Sequence, residues 1–412
     1  MNSSQTTPVV VLWVHHGSLG IARSLGRLGV PVHGIHPRLD IPACRSRYWA
    51  GRHRWDVAGS PPDATVEVLR DLGRRLGRTA ILIPTSDDTA LLVAEHAQAL
   101  REHYRFQENP PSLVRAFSNK RTLYELARTN RIPTPETVFP SSADQVRRYA
   151  ESAGFPLMLK AIDGLRLQAR TGKKMVIVAS AEELVAQYAA LEDPAQPNLM
   201  IQEYIPGGDD TIWMFNGYFD GSSDCVVGIT GKKLRQFPVH TGSTALGICL
   251  DNPAVRDLTC RLAKATGYRG ILDIGFRFDA RDGSYKLLDP NPRIGSSFRL
   301  FLTREGHDVA RYLYWDLTGQ PLPGGGIREG RKWVVEDQDL ESCLDYRREG
   351  MLGRWEWFRS YRGVEEAAWF AWDDWRPFLG VVRGLLRRGG RLAWRRSLGR
   401  LVAPTAATGR PA

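Results

Sequence analysis

Cysteine is scarce and scattered. The five residues Cys44, Cys225, Cys249, Cys260 and Cys343 are spread over 412 positions with no CxxC pair. That argues against a disulfide framework or a zinc site and for a reducing compartment. No run of 18 apolar residues occurs, so no spanning helix is expected, and the polar first seven residues do not read as a signal peptide. No internal repeat is visible. No G-x-G-x-x-G follows the first apolar run, which disfavours a dinucleotide site. Acidic residues are missing altogether after Asp374, where nine arginines follow (Arg376, Arg383, Arg387, Arg388, Arg391, Arg395, Arg396, Arg400, Arg410). Without these nine the formal charge drops from +11 to about +2. Basicity is therefore a property of the tail, and with no recognition motif beside it no nucleic-acid partner is expected.

What remains is a globular composition, 42% hydrophobic and 25% charged, too long for one ordinary domain. Pro8 to Val14 is an apolar run of buried-strand length. His15-His16-Gly17-Ser18-Leu19-Gly20 leads into helical spacing that ends near Gly29, and Val30 to Ile35 is the next strand. A helix N-terminus behind a glycine turn favours an anion, so a substrate carboxylate, with His15 and His16 as contributors or merely exposed, stays open. Asp63 to Leu76 reads as an amphipathic helix. Ala80 to Pro84 is a strand ending in Thr85-Ser86-Asp87-Asp88, a cluster that either caps the helix over Thr89 to Leu100 or meets a ligand at the strand's carboxyl end.

Farther on, Ile271 to Phe278 and Tyr285 to Leu288 form a hairpin around Asp279-Ala-Arg-Asp-Gly283. At its exit Asp289, Asn291 and Arg293 are two residues apart, so an extended chain points them to one face, stiffened by Pro290 and Pro292. A carboxylate, a carboxamide oxygen and a guanidinium form a hard-oxygen site beside a fixed cation, which suits Mg²⁺ and the phosphates it carries. Asp273 on the neighbouring strand is a candidate second carboxylate.

The D-P-N-P-R run resembles the closing signature of the ATP-grasp superfamily, E/D-x-N-x-R. Three further segments fall in that family's order. Asn119-Lys120, a helix and Arg131-Ile-Pro-Thr-Pro135 resemble its D-K, helix, G-I-P-x-P opening, with Asn119 and Arg131 as departures. Phe155-Pro-Leu-Met-Leu-Lys160 matches F-P-x-x-x-K. Asn198 to Tyr204 with Ile205-Pro-Gly-Gly-Asp209 resembles the hinge strand that holds adenine and ribose. The resemblance covers about residues 8–318 and implies an α/β fold: an N-terminal parallel-sheet α/β domain (8–110), a two-lobed α+β ATP-grasp domain (111–320) and a basic, Trp-rich C-terminal appendage (321–412).

The resemblance also implies roles. Lys120 and Lys160 would contact ATP phosphates, Gln202 the adenine N6, Glu203 and Ile205 the base through backbone atoms, and Asp209 the ribose, with Asp210 as its alternative. Asp289 and Asn291 would hold Mg²⁺ (or Mn²⁺), with Asp273 or a position nearer Gly275 as the second ligand. Asp289 stands where the family commonly has Glu. Arg293 would stabilise the transferring phosphoryl group. Lys233 and Arg235 would steady phosphate or a substrate carboxylate, or else form a basic strand edge. The glycine-poor 161–174 segment resembles the loop that folds over the triphosphate, with Lys173 and Lys174 as candidate contacts. The implied activity is ATP-dependent carboxylate–amine ligation in the cytoplasm on small-molecule substrates, with the oligomeric state open. The alternative is a non-catalytic ATP-binding protein whose tail docks elsewhere. Seven of the twelve tryptophans lie between Trp333 and Trp394. Phe378 to Leu401 alternates Leu, Val and Trp with Arg, like an interfacial basic helix pair, so that tail either touches the inner face of a membrane or packs on the enzyme body.

Overall fold

The computed structural model describes residues 6–173, 175–193 and 195–387. Lys174 and the part of the basic tail beyond 387 lie outside the described residues.

Five parallel strands, β1 (Val9–Leu12), β2 (Val32–His36), β3 (Trp49–Arg54), β4 (Ala80–Pro84) and β5 (Tyr104–Arg105), lie in the order β3-β2-β1-β4-β5. β1 is buried on both faces, as its unbroken apolar run requires. The helix His16–Gly26 follows it almost at once. β3, which the sequence pattern did not reveal, forms one edge. The strand order reverses direction between β1 and β4, and an open α/β sheet binds its ligands at the carboxyl ends flanking such a point.

A four-stranded antiparallel sheet follows, ordered β6-β9-β7-β8 from β6 (Thr137–Val138), β7 (Leu157–Ala161), β8 (Met175–Val178) and β9 (Leu199–Glu203). Leu157, Leu159 and Ala161 point to one face and pack with Leu199 and Ile201 under the helices Ala143–Ala150 and Ala181–Leu191. Period-two alternation sends Lys160 and Gln202 to the other face. Between β7 and β8 the expected polar loop contains a helix, Gly164–Thr171. The Asp163 carboxylate caps it (3.1 Å from the Arg166 N–H), and Gly172 in the left-handed region (φ +73°) ends it.

The largest sheet has seven strands in the order β14-β13-β10-β11-β12-β15-β16. They are β10 (Ile212–Phe219), β11 (Cys225–Phe237), β12 (Ser243–Cys249), β13 (Gly270–Asp279), β14 (Ser284–Asn291), β15 (Lys332–Val334) and β16 (Val364–Ala367). Phe215, Leu272, Ile274 and Phe276 pack on the helix Pro253–Thr266 behind it. The hairpin turn forms as its residues dictate, with Gly283 at φ +70°.

Around Arg299 a short turn at Phe298–Leu300 leads to the α-helix Val309–Leu317. One expectation needs correction: the segment from 321 is not a separate appendage as far as 387. β15 pairs with β12, β16 pairs with β15, and the helix Glu336–Arg348 packs on β11 and β12. Arg23 of the first helix reaches the same segment. Its guanidinium donates to the buried Asp374 carboxylate (3.0 Å) and to the carbonyls of Ala368 and Trp369. Two tryptophans of this segment serve the packing: Trp333 is fully buried and Trp369 nearly so.

Candidate active site

Cross-strand register places the polar residues in two rows on one face of the seven-stranded sheet. Asn216 on β10 faces Asp273 on β13, which faces Asn291 on β14. One step along, Met214 faces Gly275, which faces Asp289. The first row is joined by hydrogen bonds: the Asn216 and Asn291 carboxamides each donate to the Asp273 carboxylate (3.2 and 3.1 Å). Burial raises the Asp273 pKa, opposed by Arg293 and these two donors. Asn216 is wholly buried and its Oδ1 has no partner among the described residues. In the second row Asp289 is exposed, and a Cβ on Gly275 would meet nothing closer than the Asp289 carbonyl at 4.0 Å. That row therefore leaves open space beside a free-standing carboxylate, and no acid occupies the position opposite it.

Arg293 closes the first row. Its Nη2 donates to Asn291 Oδ1 (2.9 Å) and its Nε to Asp87 Oδ1 (2.9 Å). Asp87 begins the helix after β4, so the guanidinium joins the sheet to the reversal point of the N-terminal domain. The following loop presses on that domain: a Cβ on Gly17 would lie 2.8 Å from Ser296 Cα, so only glycine admits this approach. His15 Nδ1 accepts from the Gly17 N–H (2.9 Å) and caps the helix. Burial, then His16 and Arg293, push His15 down to about 3, and burial pushes His16 to about 4. Both are thus neutral near pH 7, as an Nδ1 that accepts a hydrogen bond requires. Ser86 caps its helix through a capping box, so capping holds for the Thr85–Asp88 cluster, while its neighbour Asp87 accepts from Arg293.

Lys233 on β11 faces the open space. Burial lowers its pKa, opposed by Asp289, Asp273 and Asp209. Its Nζ donates to the Gly242 carbonyl (2.9 Å) and Gln236 Oε1 (3.3 Å). Arg235 differs from the expectation and does not face the site. It is 4% exposed, and its fork is taken by Asp339 (2.6 and 2.9 Å) and Ser360 (2.8 Å). A bulge in β11 beside it turns this residue toward the C-terminal segment.

On the smaller sheet, Lys160 Nζ donates to Gln202 Oε1 (3.3 Å), and Gln202 Nε2 to Thr137 Oγ1 (3.1 Å). Lys120, at the first turn of the helix Lys120–Thr129, donates to the Ala161 carbonyl (2.9 Å). The Glu203 N–H is already used by the Glu136 carbonyl (2.8 Å), and its carboxylate by Lys286 (3.1 Å) and Arg281. These bonds hold the strand end to the β13–β14 hairpin. Ile205 is buried. Asp209 has protein donors on both oxygens, Gln236 Nε2 (2.9 Å) and the Tyr346 hydroxyl, whereas Asp210 is exposed. Asn216, Gln236 and Tyr346 were not singled out from the sequence. Asn216 left a signal, a carboxamide inside the apolar run Trp213-Met-Phe-Asn-Gly-Tyr218; Tyr346 left none.

No three His, Cys, Asp or Glu side chains gather as a metal site among the described residues. The oxygen set of Asp289, Asn291 and Asp273, with a carboxamide oxygen unpartnered beside it, fits a hard divalent cation.

No family model matches the chain. The chain is 26% identical to D-aspartate ligase of Enterococcus faecium over 245 residues, 57% of this chain and 58% of that one. It is 25% identical to the carbamoyl phosphate synthase large chain of Thermus thermophilus over 235 residues, 55% of this chain but only 22% of the relative. Among solved structures, the biotin carboxylase domain of Hydrogenobacter thermophilus 2-oxoglutarate carboxylase, in complex with MgADP, ADP and bicarbonate, superposes with a TM-score of 0.59 at 18% identity, covering 80% of this chain and 74% of that one. Carboxyaminoimidazole ribonucleotide synthase of Aspergillus clavatus, complexed with ATP, gives 0.60 at 16%, over 82% and 86%. The chain shares the fold of these two solved structures. In sequence and in fold the chain resembles ATP-grasp enzymes.

Proposed function

We propose that this protein is an ATP-dependent ligase that activates a carboxylate as an acylphosphate and joins it to an amine. The observation that carries the reading is Arg293, held between Asn291 of the phosphate-side row and Asp87 at the β1/β4 reversal point, where a small acid can reach it. A carboxylate oxygen attacks the γ-phosphorus, ADP leaves, and the amine then displaces phosphate from the acyl carbon. Such chemistry calls for positioning and charge neutralisation rather than covalent catalysis by the protein. Arg293 offsets charge on the transferring phosphoryl group. Lys160, Lys120 and Lys233 offset the rest of the triphosphate. Gln202, the Glu203 carbonyl and Ile205 N–H read the base, and Asp209 or the exposed Asp210 meets the ribose. Asp289, Asn291 and Asp273 would hold Mg²⁺ (or Mn²⁺), which when bound neutralises phosphate charge.

The nucleotide-bound neighbours and the ligase relatives support this reading. ADP and phosphate release, measured with Mg²⁺ and ATP over amino acids and small carboxylates offered singly and in pairs, tests it. Release is expected only with one acid–amine class and not in Asn291→Ala. Failure to bind Mg-ATP at all overturns it.

A membrane contact belongs to the same proposal. Trp372 (90% exposed) and Trp375 stand in solvent beside Arg376, with Leu386 exposed between Arg383 and Arg387. No helix among the described residues is long and apolar enough to cross a membrane; the contact proposed is peripheral, at the cytoplasmic face. Cosedimentation with anionic but not neutral vesicles is the expected result. A chain that performs this docking and binds Mg-ATP without turnover is the alternative, a non-catalytic binding protein.

A further inference from the structure

A cleft of about 630 Å³ opens on the side of the large sheet remote from the Asp289–Arg293 row. It lies between the start of β11, the first turns of the helix Pro253–Thr266 and the 325–327 segment, and its charged rim is Asp251, Arg256, Asp257 and Arg304. Two cysteines line it, Cys225 at the first position of β11 and Cys260 on the helix. Each is half-buried, and both pack against the same apolar cluster at the cleft wall. The other three cysteines, Cys44, Cys249 and Cys343, are buried, and no second thiol is recorded beside any of them.

We propose that Cys225 and Cys260 form a redox-active dithiol that a hydroperoxide closes to a disulfide. This stands independently of the ligase reading. The chemistry favours Cys260 as the attacking sulfur. Cys260 lies one turn after Arg256 on the same helix, so the guanidinium stands beside it at the cleft wall. Arg256 favours the thiolate form of both. With hydrogen peroxide, the Cys260 thiolate attacks one oxygen: an S–O bond forms, the O–O bond breaks, and the departing hydroxide takes a proton to become water. Cys225, giving up its proton, then attacks the sulfenic sulfur; the S–S bond forms, the S–O bond breaks, and a second water leaves. Two thiols are oxidised and one peroxide is reduced. The buried thiols are poor competitors, since burial pushes Cys44 up to about 11 and Cys249 to about 12.

The test treats the full chain with hydrogen peroxide, then counts thiols after denaturation and maps peptides without reduction. Five free thiols are expected to become three, with one cross-linked peptide joining 225 to 260 within a single chain, reversed by dithiothreitol. Cys260→Ser is expected to keep all four of its remaining thiols. The proposal fails if five thiols persist or if cross-links involve other cysteines or two chains. It also fails if Cys260 advances to sulfinic acid while Cys225 stays free. The wild-type map alone decides the matter should the variant fold poorly.

Discussion

Arg293 and Arg235 are both basic residues on or beside strands of the same sheet, and the fold uses them in opposite ways. Arg293 is 17% exposed at its side chain and donates to the 44%-exposed Asp87 carboxylate, the Asn291 carboxamide and the Ile294 carbonyl. Arg235 sits with Asp339 in a pair 5% and 0% exposed, whose carboxylate also accepts from Tyr361. A guanidinium sealed in with its carboxylate holds structure together; one that keeps part of its surface open, beside an exposed carboxylate, can act on something that arrives. The surroundings make the difference, since the side chains are chemically identical.

Removing one member of the closed pair has the largest expected effect. Asp339→Ala leaves a buried guanidinium uncompensated, and chemical denaturation is expected to show a loss of about 3–5 kcal/mol. A loss under 1 kcal/mol would mean that the pair is not closed. Arg293→Ala is expected to do the reverse. Its ion pair with the 44%-exposed Asp87 contributes at most about 1 kcal/mol to stability, while turnover drops about 10²–10³-fold, as when a preorganised transition-state donor is deleted. Equal damage to stability and turnover in both variants would erase the contrast.

Two smaller effects sharpen it. Lys233 carries a pKa lowered by burial, so its charge is present below that value and lost as pH rises through it. The alkaline limb of kcat/KM is expected below the ~10.4 of a free lysine. Lys233→Arg is expected to carry the limb to higher pH, and an unmoved limb would assign it to another group. The smallest change is Tyr346→Phe, which removes one donor to Asp209. A several-fold rise in KM for ATP with kcat unchanged is expected, along with about 1 kcal/mol of stability. A fall in kcat alone would contradict a positioning role at the nucleotide end.

The β13–β14 hairpin, its Gly283 turn and the face shared by Asp289, Asn291 and Arg293 were legible because each depends on residues close in sequence. Lys160 at the end of an apolar strand was legible for the same reason. Arg235 was misread because a strand's two faces cannot be told apart once a bulge intervenes. The segment from 321 was misread because its Pro/Gly-rich opening looks like a boundary, while its pairing partner, β12, lies some 85 residues earlier.

The sequence by itself determined the order of the elements, the caps and turns, the basic character of the tail and the oxygen-rich exit of β14, since these follow from local periodicity and side-chain chemistry. Only the tertiary structure decided that Asp87 meets Arg293, that Asn216 completes the row with Asp273 and Asn291, that Tyr346 reaches Asp209, and that Cys225 and Cys260 share one cleft. Each of those contacts joins residues from about 35 to more than 200 positions apart. Strand register and packing bring such residues together, and no local pattern in a single chain records where they will meet.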